Sequence, residues 1–271
     1  EKRRKRMTYD AIEGTVQRLA DSPGGQILLA LRDGLQRSLP AYLGIFVLGF
    51  VGAFPATSRL IAWLIDADRL PSGVDIIVVS PVEFLFLQLR IAGSFGLMLV
   101  VLFMVVQVAR HGLRHQAIQT RLQELDVRLP RPGPAVVLAT VAAGSLMVMG
   151  LLYAWYALIP MLLDYLTNDA QQAGLSTEWR LSSYAGFIVN LLAASAVGFQ
   201  APLVTTVVLR AGLVTRGQLA QSRRGIWFGA FVLGALMSPP DPLSLFLVAV
   251  PVIVLFEAAM VADRFTRPEA V

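Results

Sequence analysis

Cysteine is absent from the 271 residues, which excludes disulfide frameworks, thiol nucleophiles, Cys-ligated zinc and iron–sulfur clusters. Histidine is almost as scarce: His111 and His115 are the only two, and both fall in an Arg-rich polar stretch. No apolar run contains a histidine, so a Ser–His pair on facing helices cannot be built, and no His–carboxylate cluster has metal-ligand spacing. There is no Walker loop, so the chain does not hydrolyse nucleotide by itself. No enzymatic activity, cofactor or metal is expected. Charge is thin too, at 15% of residues against about 25% in an ordinary soluble domain. What fills the space is 56% hydrophobic residues and a mean hydropathy of +0.64, which excludes a disordered chain and a soluble globular enzyme.

A transmembrane helix needs roughly 20 mostly apolar residues to cross about 30 Å of hydrocarbon. Four runs meet this, at about 39–65, 84–109, 134–160 and 183–209. A fifth apolar block, 225–260, is cut by Ser238-Pro239-Pro240-Asp241-Pro242, which no continuous helix accommodates, so it becomes two spans and the count is six. Gly225 to Ser238 is short for a span, and the bilayer beside it must thin or neighbouring helices must shield it. Pro55, Pro160, Pro202 and Pro251 fall within or at the ends of spans. Bent helices favour a concave body over a straight bundle. The expected fold is therefore an all-α integral membrane protein of six bent transmembrane helices, concave, with short fifth and sixth spans.

The basic residues give the orientation. Of 23 Lys and Arg, eight lie up to Arg37, five in 110–131, four in 210–224 and two in the tail, whereas the alternate loops hold only Arg69 and Arg180. Both termini and the Arg-rich loops thus face the cytoplasm, and 66–82, 161–182 and the Pro-Pro-Asp turn face outward. The net charge of +5 describes topology rather than a nucleic-acid partner. A cleaved signal peptide is not expected, because the basic start is followed by mixed polarity and not by a short apolar region. Starting at Glu1 and not at Met, the sequence reads as trimmed from something longer. Residues 7–21 and 25–38, separated by Ser22-Pro23-Gly24-Gly25, read as two short amphipathic helices lying along the inner membrane surface. No strand pattern is evident. Three segments result: a cytoplasmic basic and amphipathic 1–38, a membrane domain 39–261 and a cytoplasmic tail 262–271.

Ionisable residues inside a bilayer are functional candidates by default. Glu83 and Arg90, seven apart, share a face of the second span. They either compensate one another or find partners on other helices, or Arg90 snorkels. Glu257 sits near the inner end of the last span, where an inner-loop Arg or a backbone donor would meet it. Asp241, with Pro239 and Pro240, caps the outer turn. Gln200 places an uncharged amide in the inner half of the fourth span, as a polar pocket or a helix-linking hydrogen bond.

The run Gly229-Ala230-Phe231-Val232-Leu233-Gly234, then Met237-Ser238-Pro239-Pro240-Asp241, Ala249-Val250-Pro251 and Leu255-Phe256-Glu257 resembles the carboxyl-terminal signature of TatC, the core of the twin-arginine protein translocase. Upstream, Ser80-Pro81-x-Glu83 with Arg90, Gln107-Val108, Tyr184-x-x-Phe187 and Phe199-Gln200-Ala201-Pro202 resemble further pieces of the family, so the likeness covers about residues 26–265. The departures lie at the family's signal-binding positions. Its His-Leu-x-Glu-Leu-Arg reads Ile27-Leu28-Leu29-Ala30-Leu31-Arg32, which keeps Leu31 and Arg32 but loses the Glu. The first inner loop offers no acid before Glu124 and Asp126, and the Glu of the fourth span is Gln200. Paired guanidinium groups require carboxylates for bidentate recognition.

The resemblance implies a divergent, archaeal-like, non-enzymatic core subunit in a prokaryotic plasma membrane. It implies binding of the twin-arginine signal peptides of folded cargo and assembly with TatA/TatB-type single-span partners, with transport driven by the proton-motive force. Leu31, Arg32, Glu124 and Asp126 are the signal-site candidates. Gln200, Glu83, Arg90 and Glu257 are the candidates for embedded polar or partner-docking positions. Two alternatives stand beside a displaced signal site: one structural lobe of a tandem protein whose other lobe binds signals, and an unrelated use of the scaffold as a solute transporter; a second TatC-like lobe or a homo-oligomer is a further partner candidate. A transporter would predict two related halves, and no such repeat is found.

Overall fold

The computed structural model describes residues 23–66, 74–112, 132–172, 174, 177–210, 214–237 and 242–266. In order these form helix α1 (Pro23–Asp66), strand β1 (Val74–Ile77), α2 (Pro81–Gly112), α3 (Pro132–Tyr153), a π-helical turn (Ala154–Leu158), α4 (Ile159–Gln172), strand β2 (Thr177–Arg180), α5 (Leu181–Gly198), α6 (Ala201–Arg210), α7 (Arg216–Gln221), α8 (Arg223–Met237) and α9 (Pro242–Thr266). Packing divides the chain into two units, Glu1–Ile45 and Phe46–Val271, with the boundary inside α1. The core and the polar clusters all belong to the second.

Pro23, Pro81, Pro132 and Pro242 each open a helix. The first position of a helix has no intrahelical use for its N–H, and the fixed φ of proline already suits the helix. Pro23 and the glycines after it thus belong to a helix start, and the expected helix 7–21 lies outside the described residues. The segment 25–38, expected as a separate surface helix, is the beginning of the 44-residue α1.

Among the described residues, five stretches are long and apolar enough to cross a membrane: Ser38–Ile65, Pro81–Arg110, Val137–Gln172, Leu181–Arg210 and Pro242–Thr266. The architecture is an all-α membrane protein. The fifth expected span, α8, is not among them: it has 15 residues, or about 22 Å, short of the ~30 Å of hydrocarbon. Its successor is not short. α9 continues for 25 residues, or about 37 Å, because nothing after Glu257 stops the helix before Thr266.

The interior prolines act in different ways. Pro160 has no N–H for the carbonyl of Tyr156, and the preceding turn widens so that the Ile159 N–H donates to the Ala154 carbonyl, five residues back. Beyond it the helix runs to Gln172 with Leu162, Leu163 and Thr167 buried, so the region expected as outer loop from 161 begins as an amphipathic helix. Pro202 sits just after a break between α5 and α6, whereas Pro251 is absorbed inside α9.

The expectation of no strands is also corrected. β1 and β2 pair in parallel, Val74 opposite Thr177 and Ile77 opposite Arg180, and tie the connection before α2 to the one before α5. Four residues each are too few to display a period-two pattern.

The core gathers around α5. Leu181, Tyr184, Ala185, Ile188 and Leu191 meet Leu87 and Ile91 of α2, Ala154, Leu158 and Leu162 of the π turn and α4, and Ile61 of α1. Small residues make this closeness available. A Cβ built on Gly150 of α3 would stand 2.5 Å from the backbone oxygen of Ser195, so only glycine lets the two backbones approach.

Candidate functional site

The polar groups that the bilayer would penalise fall into three places. At the N-terminal end of α2, Ser80 precedes Pro81 as a helix cap, accepting from the Val82 N–H at 3.4 Å through its hydroxyl. Glu83, buried, does not pair with Arg90. One carboxylate oxygen accepts from the Ser182 N–H at 2.8 Å, in the first turn of α5, and the other accepts from the Val79 N–H at 3.1 Å. The acid of one span thus caps the N-terminus of another, where the helix dipole favours an anion. Arg90, two turns further along α2, lies against Gly186 of α5, where a Cβ would collide with its guanidinium. Among the described residues Arg90 contacts no carboxylate.

The second place is the break between α5 and α6. The Gln200 N–H donates to the Val197 carbonyl at 3.0 Å, one residue short of the α-helical pattern, which releases the Ala196 carbonyl. The Gln200 side chain takes over: its Nε2 donates to the Ala143 carbonyl of α3 at 3.1 Å and, more weakly, to that of Ala196 at 3.5 Å. Gln200 is only 2% exposed, and its Oε1 has no hydrogen-bond partner, nor has Ser195 Oγ. Two buried polar atoms of this stretch, five residues apart, thus lack partners. Sequence reasoning singled out Gln200 but missed Tyr153, whose hydroxyl donates to the Leu247 carbonyl at 3.0 Å and whose ring packs on Phe199, 5.5 Å between centroids.

The third place joins α7, α8 and the end of α9. Thr215 and Gln218 form a capping box that starts α7. Arg216 then donates from Nε to Asp263 Oδ2 at 2.7 Å and from Nη2 to the Asp263 backbone oxygen at 2.8 Å. Less than two turns before Asp263 on α9, Glu257 accepts from Arg223 at 2.9 Å and from the Trp227 indole N–H at 3.2 Å. Asp263 went unnoticed because an acid near a helix end reads as solvated, yet it is buried. The nearest clue is Arg216 beside a capping-box spacing.

The remaining candidates are not brought together. Leu31 and Arg32 fall on the α1 backbone, and their side chains lie outside the described residues, as do Glu124, Asp126, Pro239, Pro240 and Asp241.

Residues 26–251 match the family model described as Sec-independent protein translocase protein (TatC). The chain belongs to the TatC family. A TatC of the same description from Synechocystis is 29% identical over 229 residues, 83% of this chain and 82% of that one. The TatCt protein of Haloferax volcanii is 28% identical over 263 residues, 93% of this chain but 35% of that longer one. The crystal structure of a twin-arginine translocase receptor TatC superposes with a TM-score of 0.68 at 24% identity, covering 88% of this chain and 99% of that one, a likeness of fold. As a TatC, the chain is a core subunit of the Sec-independent translocase, a protein-transport component that works in a membrane with other Tat components. Gln200, which stands where the family's fourth span resembles Phe-Glu-x-Pro, bridges two helices here by its amide.

Proposed function

We propose that this TatC receives twin-arginine signal peptides of folded proteins on the cytoplasmic side of a prokaryotic plasma membrane. There it assembles with TatA/TatB-type single-span partners for transport driven by the proton-motive force. Both termini, 1–38 and the tail 262–271, are cytoplasmic, and 39–261 is the membrane domain. In this reading Glu124 and Asp126 supply the carboxylates for the signal's arginines, with Leu31 and Arg32 beside them.

The observation that supports partner docking is the unfilled acceptor of Gln200 at the fourth-span break. A buried polar atom without a partner is destabilising by roughly 1–3 kcal/mol. A partner helix that displaces the groups covering Gln200 and brings in a donor relieves this, so association is favoured at that spot. Gln200→Leu removes the orphan together with the amide donors, and its effect on the isolated chain is small, within about 1 kcal/mol. The expected result is an unchanged unfolding midpoint with weakened co-purification of a single-span partner. Co-purification at the wild-type level rejects this docking site.

A second reading is favoured by the TatCt relative, of which this chain matches 35%: the chain acts as one TatC-like lobe whose signal site is carried by another. Crosslinking to single-span partners with none to signal peptides distinguishes it.

A further inference from the structure

A depression of about 640 Å³ opens at the meeting of α7, α8 and the end of α9, lined by Arg216, Ala220, Arg223, Met260, Arg264 and Phe265 among others. From this geometry we infer a binding site for one anionic phospholipid, its phosphate held by the arginines and an acyl chain laid along α9.

Charge balance leaves room for one anion. Arg216 is matched by Asp263 and Arg223 by Glu257, while Arg264 meets no carboxylate among the described residues. Three guanidinium groups against two carboxylates leave one positive charge, the complement of a single phosphodiester. The floor is apolar where the rim is basic, through Met260 and Ala220. A free phosphate has no use for that floor.

Depth points the same way. Trp227, one turn beyond Arg223 on α8, is half exposed and anchors its indole N–H on Glu257. Tryptophans with one wet edge and one apolar face collect at the headgroup level of membranes. Arg223 therefore stands at the height where lipid phosphates lie. From Phe265 at the rim, the exposed Val261, Val254 and Val250 continue down one face of α9. Their spacing keeps them on a single stripe about 22 Å long, comparable to an extended acyl chain. Basic pockets between helices on the cytoplasmic side suit anionic headgroups, at roughly 1 kcal/mol per Arg near the surface.

The site does not depend on signal recognition and is tested separately from it. The full chain is purified in detergent, stripped of lipid and titrated with phosphatidylglycerol or phosphatidylcholine, and retained lipid is counted by native mass spectrometry. One phosphatidylglycerol is retained per chain at concentrations where phosphatidylcholine is not, and millimolar inorganic phosphate does not displace it. Arg264→Gln, which leaves both ion pairs intact, raises the half-saturating concentration about fivefold. Ala220→Trp, which fills the depression and keeps every charge, does at least as much. Arg210→Gln, an exposed inner-side arginine outside the depression, has no effect. The inference is overturned if phosphatidylcholine is retained equally or if phosphate displaces the lipid, which would make this a free-anion site. It is also overturned if an Arg264-dependent second copy or acidic partner helix occupies the depression instead. It fails as well if either pocket variant, eluting as the wild type, binds lipid as the wild type does, or if Arg210→Gln weakens retention as much as they do.

Discussion

Asp263 and Glu257 lie less than two turns apart on one helix, and each is met by an arginine, but the two ion pairs carry different weight. Asp263 is 5% exposed and Arg216 grips it at two points, whereas the Arg223–Glu257 pair is 46% and 26% exposed. Arg216→Ala strands a buried carboxylate and should destabilise the fold by about 3–5 kcal/mol. Arg223→Ala should cost under about 1 kcal/mol. Thermal unfolding of both variants in detergent checks the ranking, and equal losses contradict it. Glu83 follows a third pattern, since its acceptors serve backbone N–H groups on two segments. Glu83→Ala lowers the unfolding midpoint more than Glu83→Gln, whose amide keeps one acceptor oxygen. Sequence singled out Glu83, Gln200 and Glu257 because polarity in an apolar run stands out. For Glu257 it also pointed to an arginine of an Arg-rich loop, and Arg223 of 210–224 meets it. The partners of the other two stayed hidden, since Ser182 is 99 residues from Glu83 and Ala143 is 57 from Gln200, and spacing along one helix offered Arg90 as one candidate.

At the scale of elements, hydropathy and proline placement carried most of what was readable. The split between α8 and α9 followed from Pro239, Pro240 and Pro242, and the shortness of α8 from counting residues. The continuity of α1 and α4 and the strand pair escaped for physical reasons. Proline and glycine at 23–25 serve a helix start as well as a break, Asp164 and Asp169 concealed the buried stripe of α4, and a four-residue strand exists only through its partner. How closely α3 and α5 pack was equally hidden, since a glycine's role depends on what faces it. Gly150→Ala drives a methyl into the Ser195 backbone and should cost about 1–3 kcal/mol. Gly144→Ala, six residues earlier with nothing within 4 Å of the new Cβ, should be neutral or stabilise by up to about 1 kcal/mol. Parallel melts of the two variants test this, and similar midpoints rule out the close helix approach.

For the whole molecule, helices of unequal length must share one membrane. α8 spans about 22 Å beside the ~37 Å of α9, a mismatch that a thin bilayer accommodates with less distortion. In nanodiscs the unfolding midpoint should be higher in short-chain than in long-chain phosphatidylcholine, and no dependence on chain length would rule out local thinning. We propose that this TatC itself receives signals, with Glu124 and Asp126 supplying the acids. The direct measurement is photo-crosslinking of the membrane-embedded chain to a twin-arginine signal peptide, alongside a twin-lysine control and the Glu124→Lys/Asp126→Lys variant. Crosslinking should exceed that of the twin-lysine control and be lost in the variant. Equal crosslinking of the two peptides, unchanged by the charge reversal, would contradict the claim.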